Sequence, residues 1–111
     1  MATQTQEQLA TRILRKIKVC APQDAADADD LAVALEKLQA AHFTLRAQGL
    51  VRWTLADIPP EVQEAYVLCG ASLAAEDYGA PVAPDLWLRG LRMVQAFVHV
   101  PITGASYVEN F

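Results

Sequence analysis

Ala65-Tyr66-Val67-Leu68-Cys69-Gly70-Ala71-Ser72-Leu73-Ala74-Ala75 carries no charge, and Ser72 and the Tyr66 hydroxyl are its only plainly polar groups. Ile58-Pro59-Pro60-Glu61 stands ahead of it. Proline is tolerated in the first helical turn, where its missing N–H would have no partner. Glu61 and Glu64 then fall near the positive end of the helix dipole. Glu76-Asp77-Tyr78-Gly79 closes the run, with Gly79 placed to take a left-handed cap. A helix between these signals is apolar on nearly every side, which predicts burial all round. It is too short to cross a bilayer, which takes about 20 apolar residues. The other helices are expected to surround it, with Ala65, Gly70, Ala71, Ala74 and Ala75 letting their backbones come close. On this reading a polar change at Leu68 or Leu73 unfolds the domain, because it buries an unpaired polar group.

C-terminal to this helix, Ala80-Pro81-Val82-Ala83-Pro84 reads as a stiff linker. A further helix begins near Pro84 or Asp85 and reaches Phe97. Asp85, Arg89, Arg92 and Gln95 form one polar stripe on it. Leu86, Trp87, Leu88, Leu91, Met93, Val94, Phe97 and Val98 occupy most of the remaining surface. The core of one domain needs a narrower apolar stripe than that. Trp87, Leu88 and Leu91 are therefore expected to meet another subunit. Residues 98–111 look neither helical nor like a solvating tail, which is poor in aromatic and β-branched residues. They carry Val98, Val100, Ile102, Tyr107, Val108 and Phe111 with a single acid. Such a segment either folds back on its own core or docks as an extended arm on a partner, for instance by adding a strand to a sheet.

On the N-terminal side, a helix is expected from Thr5 to Lys18, with Leu9, Ile13 and Ile17 on one face and Leu14 beside them. Arg12, Arg15, Lys16 and Lys18 lie toward its end, where cations suit the dipole. This basic run is either a solvated helix end or a patch for an acidic partner. Cys20-Ala21-Pro22-Gln23 breaks the chain, and Asp24, Asp27, Asp29 and Asp30 follow as capping and dipole residues. They lack the calcium-loop pattern. A second helix runs from Ala25 to Gln48 and stops at Gly49. Its seam, Leu31, Leu35, Leu38, His42 and Leu45, steps by four and three residues, with Phe43 flanking it. His42 on this seam reads as a hydrogen-bonded interior histidine. Leu50 to Leu55 reads as a short strand or a plain connector.

The 111 residues suffice for one domain that folds on its own core. The abundance of alanine favours helices. The expected fold class is all-α: a bundle of about four helices over residues 1–97, with an extended C-terminal arm over 98–111. The formal net charge of −4 argues against a surface that coats nucleic acid. Cys20 and Cys69 have no C-x-x-C partner and read as reduced thiols, Cys69 in the core. Residues 1–20 lack a signal-peptide pattern, so a cytoplasm-like compartment is expected. The chain contains no phosphate-binding glycine loop, no H-E-x-x-H and no G-x-S-x-G. His42 and His99 cannot be tied by spacing to a nucleophile. The expectation is a non-enzymatic protein without cofactor or metal.

Four segments in order then matter together. They are Leu9 to Lys18 (LATRILRKIK), Ala32 to Leu50 (AVALEKLQAAHFTLRAQGL), Ile58-Pro59-Pro60-Glu61, and Leu73-Ala74-Ala75-Glu76-Asp77-Tyr78-Gly79. A proline-marked break, one more helix and a short extension follow. This order resembles the small head-to-tail connector proteins of tailed phages, also called adaptor or tail accessory proteins. The resemblance implies a helical bundle that joins neighbouring copies of itself in a ring, twelve-fold in this family, beneath the portal protein. Such rings extend the DNA channel, help retain the packaged genome and offer a platform for the next tail component. Packaged DNA passes through without sequence-specific binding, and no membrane is involved. The location implied is the virion's head–tail junction, and the host cytoplasm during assembly. The family's C-terminal segment reaches toward the portal or an adjacent subunit, which maps here onto residues 98–111. Two other classes remain open: a small homo-oligomeric regulatory module, and a DNA-binding helical domain using Arg12, Arg15, Lys16 and Lys18 or Arg89 and Arg92.

Overall fold

In the computed structural model, which describes residues 5–21 and 24–98, the chain forms four α-helices. They are α1 (Gln6–Lys16), α2 (Ala28–Ala47), α3 (Pro60–Tyr78) and α4 (Leu86–Val98). A single 3-10 turn, Leu55–Asp57, precedes α3. The described residues contain no strand, so Leu50 to Leu55 is a connector. It runs along the core with Val51 buried and Trp53 half-buried, and pairs with no other segment among the described residues.

Each helix starts where its cap is, which shifts two of the expected boundaries. Thr5 opens α1 with a reciprocal capping box: its hydroxyl accepts from the Gln8 N–H at 3.1 Å, and its own N–H donates to Gln8 Oε1 at 2.8 Å. Asp27 caps α2 by accepting from the Asp29 N–H at 3.1 Å, so that helix begins at Ala28 and not at Ala25. Pro60 occupies the first turn of α3 as expected. At the other ends, three helices finish alike. Gly49 and Gly79 take left-handed φ values of 77° and 60°, and the residue after each donates back five positions, to Leu45 and Ala75. α1 closes in the same way, with Val19 donating to the Leu14 carbonyl, but its left-handed residue is Lys18 at φ 65°. That is why α1 stops at Lys16, two residues short of the sequence expectation.

α3 is the hub. It packs against α1, α2 and α4, and α1 also packs against α2. α4 rests on α3. Leu9, Ile13 and Leu14 from α1 and Leu38 and Leu45 from α2 are fully buried with Val62, Tyr66 and Cys69 of α3. Leu31 and Leu35 of the expected α2 seam are only half-buried, and Ala34 and Ala41 complete its inner face. Phe43 is 56% exposed, so it lies outside the seam. The encirclement of α3 is also incomplete: Ser72 and Leu73 are half-buried, whereas Leu68 is covered. A charge at Leu73 therefore keeps a route to water that one at Leu68 lacks.

Two glycines set the closest approaches. A Cβ on Gly70 of α3 would run into the Ile13 side chain of α1. A Cβ on Gly90 of α4 would lie 2.5 Å from Cys69 Sγ and 2.8 Å from the Ala65 carbonyl oxygen. The small residues foreseen in α3 thus have a counterpart in α4.

Candidate docking surface on α4

α4 meets α3 along one edge, through Leu86, Gly90 and Val94 at intervals of four residues, all buried. Asp85, Arg89, Arg92 and Gln95 are exposed as the polar stripe predicts, and Arg89 pairs with Asp85 at 3.7 Å. Leu88 lies beside this stripe and is 42% exposed. Trp87 and Leu91 are half-buried, each with part of its side chain on the core and part open. The structure thus brings the three residues expected at a subunit interface onto one helix, next to its polar face.

Val98, read as the first residue of the arm, is instead the last residue of α4 and packs half-buried on the core. The periodicity of α4 simply continues one position beyond Phe97. Val100, Ile102, Tyr107, Val108 and Phe111 lie outside the described residues.

The basic run at the end of α1 is partly turned onto the domain itself. Arg12 forms an ion pair and hydrogen bond with Glu64 of α3, and Lys16 reaches the same carboxylate at 3.6 Å. Arg15 donates to the Asp24 carbonyl at 3.3 Å. Glu64, expected to serve the α3 dipole, thus also ties α1 to α3. The aspartates ahead of α2 divide their work. Asp27 is the cap, and Asp30 accepts from the Tyr78 hydroxyl at 2.8 Å. Lys37 meets Asp77 at 3.3 Å across the same pair of helices. Burial and the adjacent Asp30 carboxylate push the Tyr78 phenol up to about 12. Among the described residues no three His, Cys, Asp or Glu side chains come together as metal ligands.

Inside the bundle, His42 is 2% exposed, and its Nδ1 lies 2.7 Å from the Tyr66 hydroxyl. The Trp53 indole donates to that hydroxyl at 2.9 Å. This matches the hydrogen-bonded interior histidine expected from the seam, but Tyr66 and Trp53 are partners the spacing did not reveal. Burial, then the Arg46 charge, lowers the His42 pKa from its ordinary 6.5. Burial pushes Tyr66 up to about 12, partly offset by the Trp53 bond, and pushes the Cys69 thiol up to about 12 as well. A thiol held that high is protonated near neutrality and a poor nucleophile.

Gly90 is the packing position beneath this surface that the sequence reading missed. The one faint signal is that Leu86, Gly90 and Val94 share one helical edge with the glycine at the centre, and it does not show what that edge meets. Comparison with models of known protein families, with curated proteins and with solved structures finds no match to this chain.

Proposed function

We propose that this protein is a structural subunit of a tailed-phage head-to-tail connector, a ring-forming adaptor seated under the portal protein. The observation that carries the reading is an unfinished α4. Its inner edge is spent on α3, while Leu88 and parts of Trp87 and Leu91 stay uncovered immediately ahead of the apolar segment 99–111. The ordered resemblance of Leu9–Lys18, Ala32–Leu50 and Leu73–Gly79 to connector proteins supplies the family context.

In this role the α1–α2–α3 core is a rigid block and α4 is its contact rail. Trp87, Leu88 and Leu91 lie against a neighbouring copy, and Val100, Ile102, Tyr107, Val108 and Phe111 reach the portal or the next subunit. Fully burying one leucine stabilises by about 1.5–3 kcal/mol, and an aromatic side chain buries about 150–250 Å². A contact of this size is modest for one pair of copies and accumulates around a closed ring. The net charge of −4 suits a channel wall that lets DNA leave rather than holding it.

The test is co-sedimentation of the full chain with the portal ring encoded in the same genome, with the mass of the complex measured. A stoichiometric ring on the portal is the expected result, lost on deletion of residues 99–111 and weakened by Leu88→Asp. A small closed oligomer that ignores the portal would overturn it in favour of a homo-oligomeric regulatory module. Tight, salt-sensitive binding to free duplex DNA would overturn it in favour of a DNA-binding domain.

A further inference from the structure

We propose that Trp53, Tyr66 and His42 form a proton-sensitive latch, in which protonation of His42 releases Trp53 and with it the aromatic contact at the C-terminal turn of α4. The proposal is independent of the connector reading.

The hydrogen bonds run in one direction. An indole N–H can only donate, so Trp53 donates to the Tyr66 oxygen. The Tyr66 proton then finds its acceptor at His42 Nδ1, 2.7 Å away. That assigns the neutral His42 tautomer with its proton on Nε2. The chain from Trp53 through Tyr66 to His42 is satisfied only while Nδ1 carries a lone pair.

Protonation reverses the last link. Nδ1 becomes a donor to the Tyr66 oxygen, which has lone pairs for both His42 and Trp53, so the loss falls on the Tyr66 proton. That proton regains a partner only where water enters, on the side covered by the half-buried Trp53. A buried donor without a partner costs about 1–3 kcal/mol. Among the described residues no compensating charge is placed beside it. On α2, Arg46 is positive and opposes protonation. On α3, Tyr66 and Cys69 are both pushed up to about 12 and stay neutral. On the connector the group at the shared hydroxyl is the uncharged Trp53 indole, and Arg52 beside it is an exposed cation. From α4 the contribution is the Phe97 ring against Trp53. Among the described residues no ion pair includes His42.

The weakest of the three anchors is the one that moves. His42 and Tyr66 sit on α2 and α3, each fixed by its own helical backbone. Trp53 sits on the connector between them and is half-buried. Its ring meets Phe97 edge-on, with centroids 5.7 Å apart at 70°. Releasing Trp53 therefore removes an aromatic contact from the end of α4, where residues 99–111 begin. The sign follows from the lowered His42 pKa. The latch contributes its full stability above 6.5, the ordinary value of the unfolded chain, and loses it as pH falls through the lower folded value.

The experiment uses the full chain with Trp87→Phe and His99→Gln, which leaves Trp53 the sole indole and His42 the sole histidine. Nitrogen-15 NMR of the imidazole at pH 8 is expected to place the proton on Nε2. Acidification until the nitrogen-15 shifts report a protonated His42 is expected to red-shift Trp53 emission reversibly while the far-ultraviolet helical signal holds. In Tyr66→Phe the emission is expected to be red-shifted already at pH 8 and flat with pH. A proton on Nδ1 at pH 8 overturns the latch, and that result needs no further variant to fold. So does emission that stays unchanged while the nitrogen-15 shifts report a protonated His42, or a helical signal that falls together with the emission shift, which would mean global unfolding.

Discussion

The two sides of α3 are built differently. Toward α1 and α2 it meets large apolar side chains, with Leu9, Ile13, Leu14, Leu38 and Leu45 all fully buried. Toward α4 it meets a glycine backed by Leu86 and Val94. Both sides remove area from water, but the second leaves more of its apolar side chains half-buried and depends also on a close backbone approach at Gly90. A core made of area tolerates small shifts, because neighbouring side chains adjust. A contact made of approach does not, because a carbonyl oxygen cannot be repacked. α4 is thus the element that a small change can detach while the rest stays folded.

The largest expected effect comes from charging α3 itself. Leu68→Asp places a carboxylate where 3% of the residue is accessible, and an uncompensated buried charge costs about 3–5 kcal/mol. Against a total stability of about 5–15 kcal/mol, that abolishes or sharply lowers the cooperative melt seen by circular dichroism. Leu73→Asp, five positions on, lies in the gap of the helical cage and is expected to cost less than half as much. Equal melting of the two variants would mean that α3 is covered uniformly and that its two sides are not distinct.

Next in size is the contrast between the two glycines. Gly90→Ala must lift α4 from the Ala65 carbonyl and Cys69 Sγ, an overpacking cost of about 1–3 kcal/mol. Gly70→Ala meets Cδ1 and Cγ1 of Ile13, a side chain that can shift and not backbone, and gains about 1 kcal/mol of helix propensity in return. Hydrogen exchange is expected to show α4 amides losing protection in Gly90→Ala while α1 to α3 stay protected, with Gly70→Ala near wild type. Uniform loss of protection in Gly90→Ala would show that α4 unfolds only together with the core.

How far the sequence could be read follows the same division. The α1–α2–α3 side was legible because area leaves a pattern: a charge-free run bounded by Pro60 and Gly79, and a seam through Leu38, His42 and Leu45. Approach leaves almost none. A glycine in mid-helix looks like a propensity cost until its neighbour is known, so Gly90 passed unremarked. The gap at Ser72 and Leu73 was equally hidden, since it depends on where three partner helices lie and not on α3. Of the candidate site, Trp87, Leu88 and Leu91 could be found because α4 carries more apolar surface than one core uses. Tyr66 and Trp53 could not be assigned to His42, because no spacing rule links positions on different elements.

The smallest expected effect concerns how the helices on each side end. α3 leaves toward α4 through Gly79, and α1 turns toward α2 through Lys18, both in the left-handed region. Gly79 has no heavy atom within 4 Å of the place a Cβ would take, so only its backbone angle resists substitution. A left-handed residue with a Cβ costs about 1–2 kcal/mol, while glycine gives back about 0.5–1 kcal/mol in the entropy of the unfolded chain. Lys18→Gly is therefore expected to stabilise by about 0.5–1 kcal/mol, a rise in melting temperature of a few degrees. Gly79→Lys is expected to lose a similar amount. Because Lys18 closes the side built on area, its gain should appear as slower exchange throughout α1 to α3. The Gly79→Lys loss should fall first on α4, whose placement depends on the turn that delivers it. If both changes instead spread evenly over the four helices, the bundle is one cooperative unit and the two modes of packing differ in chemistry alone.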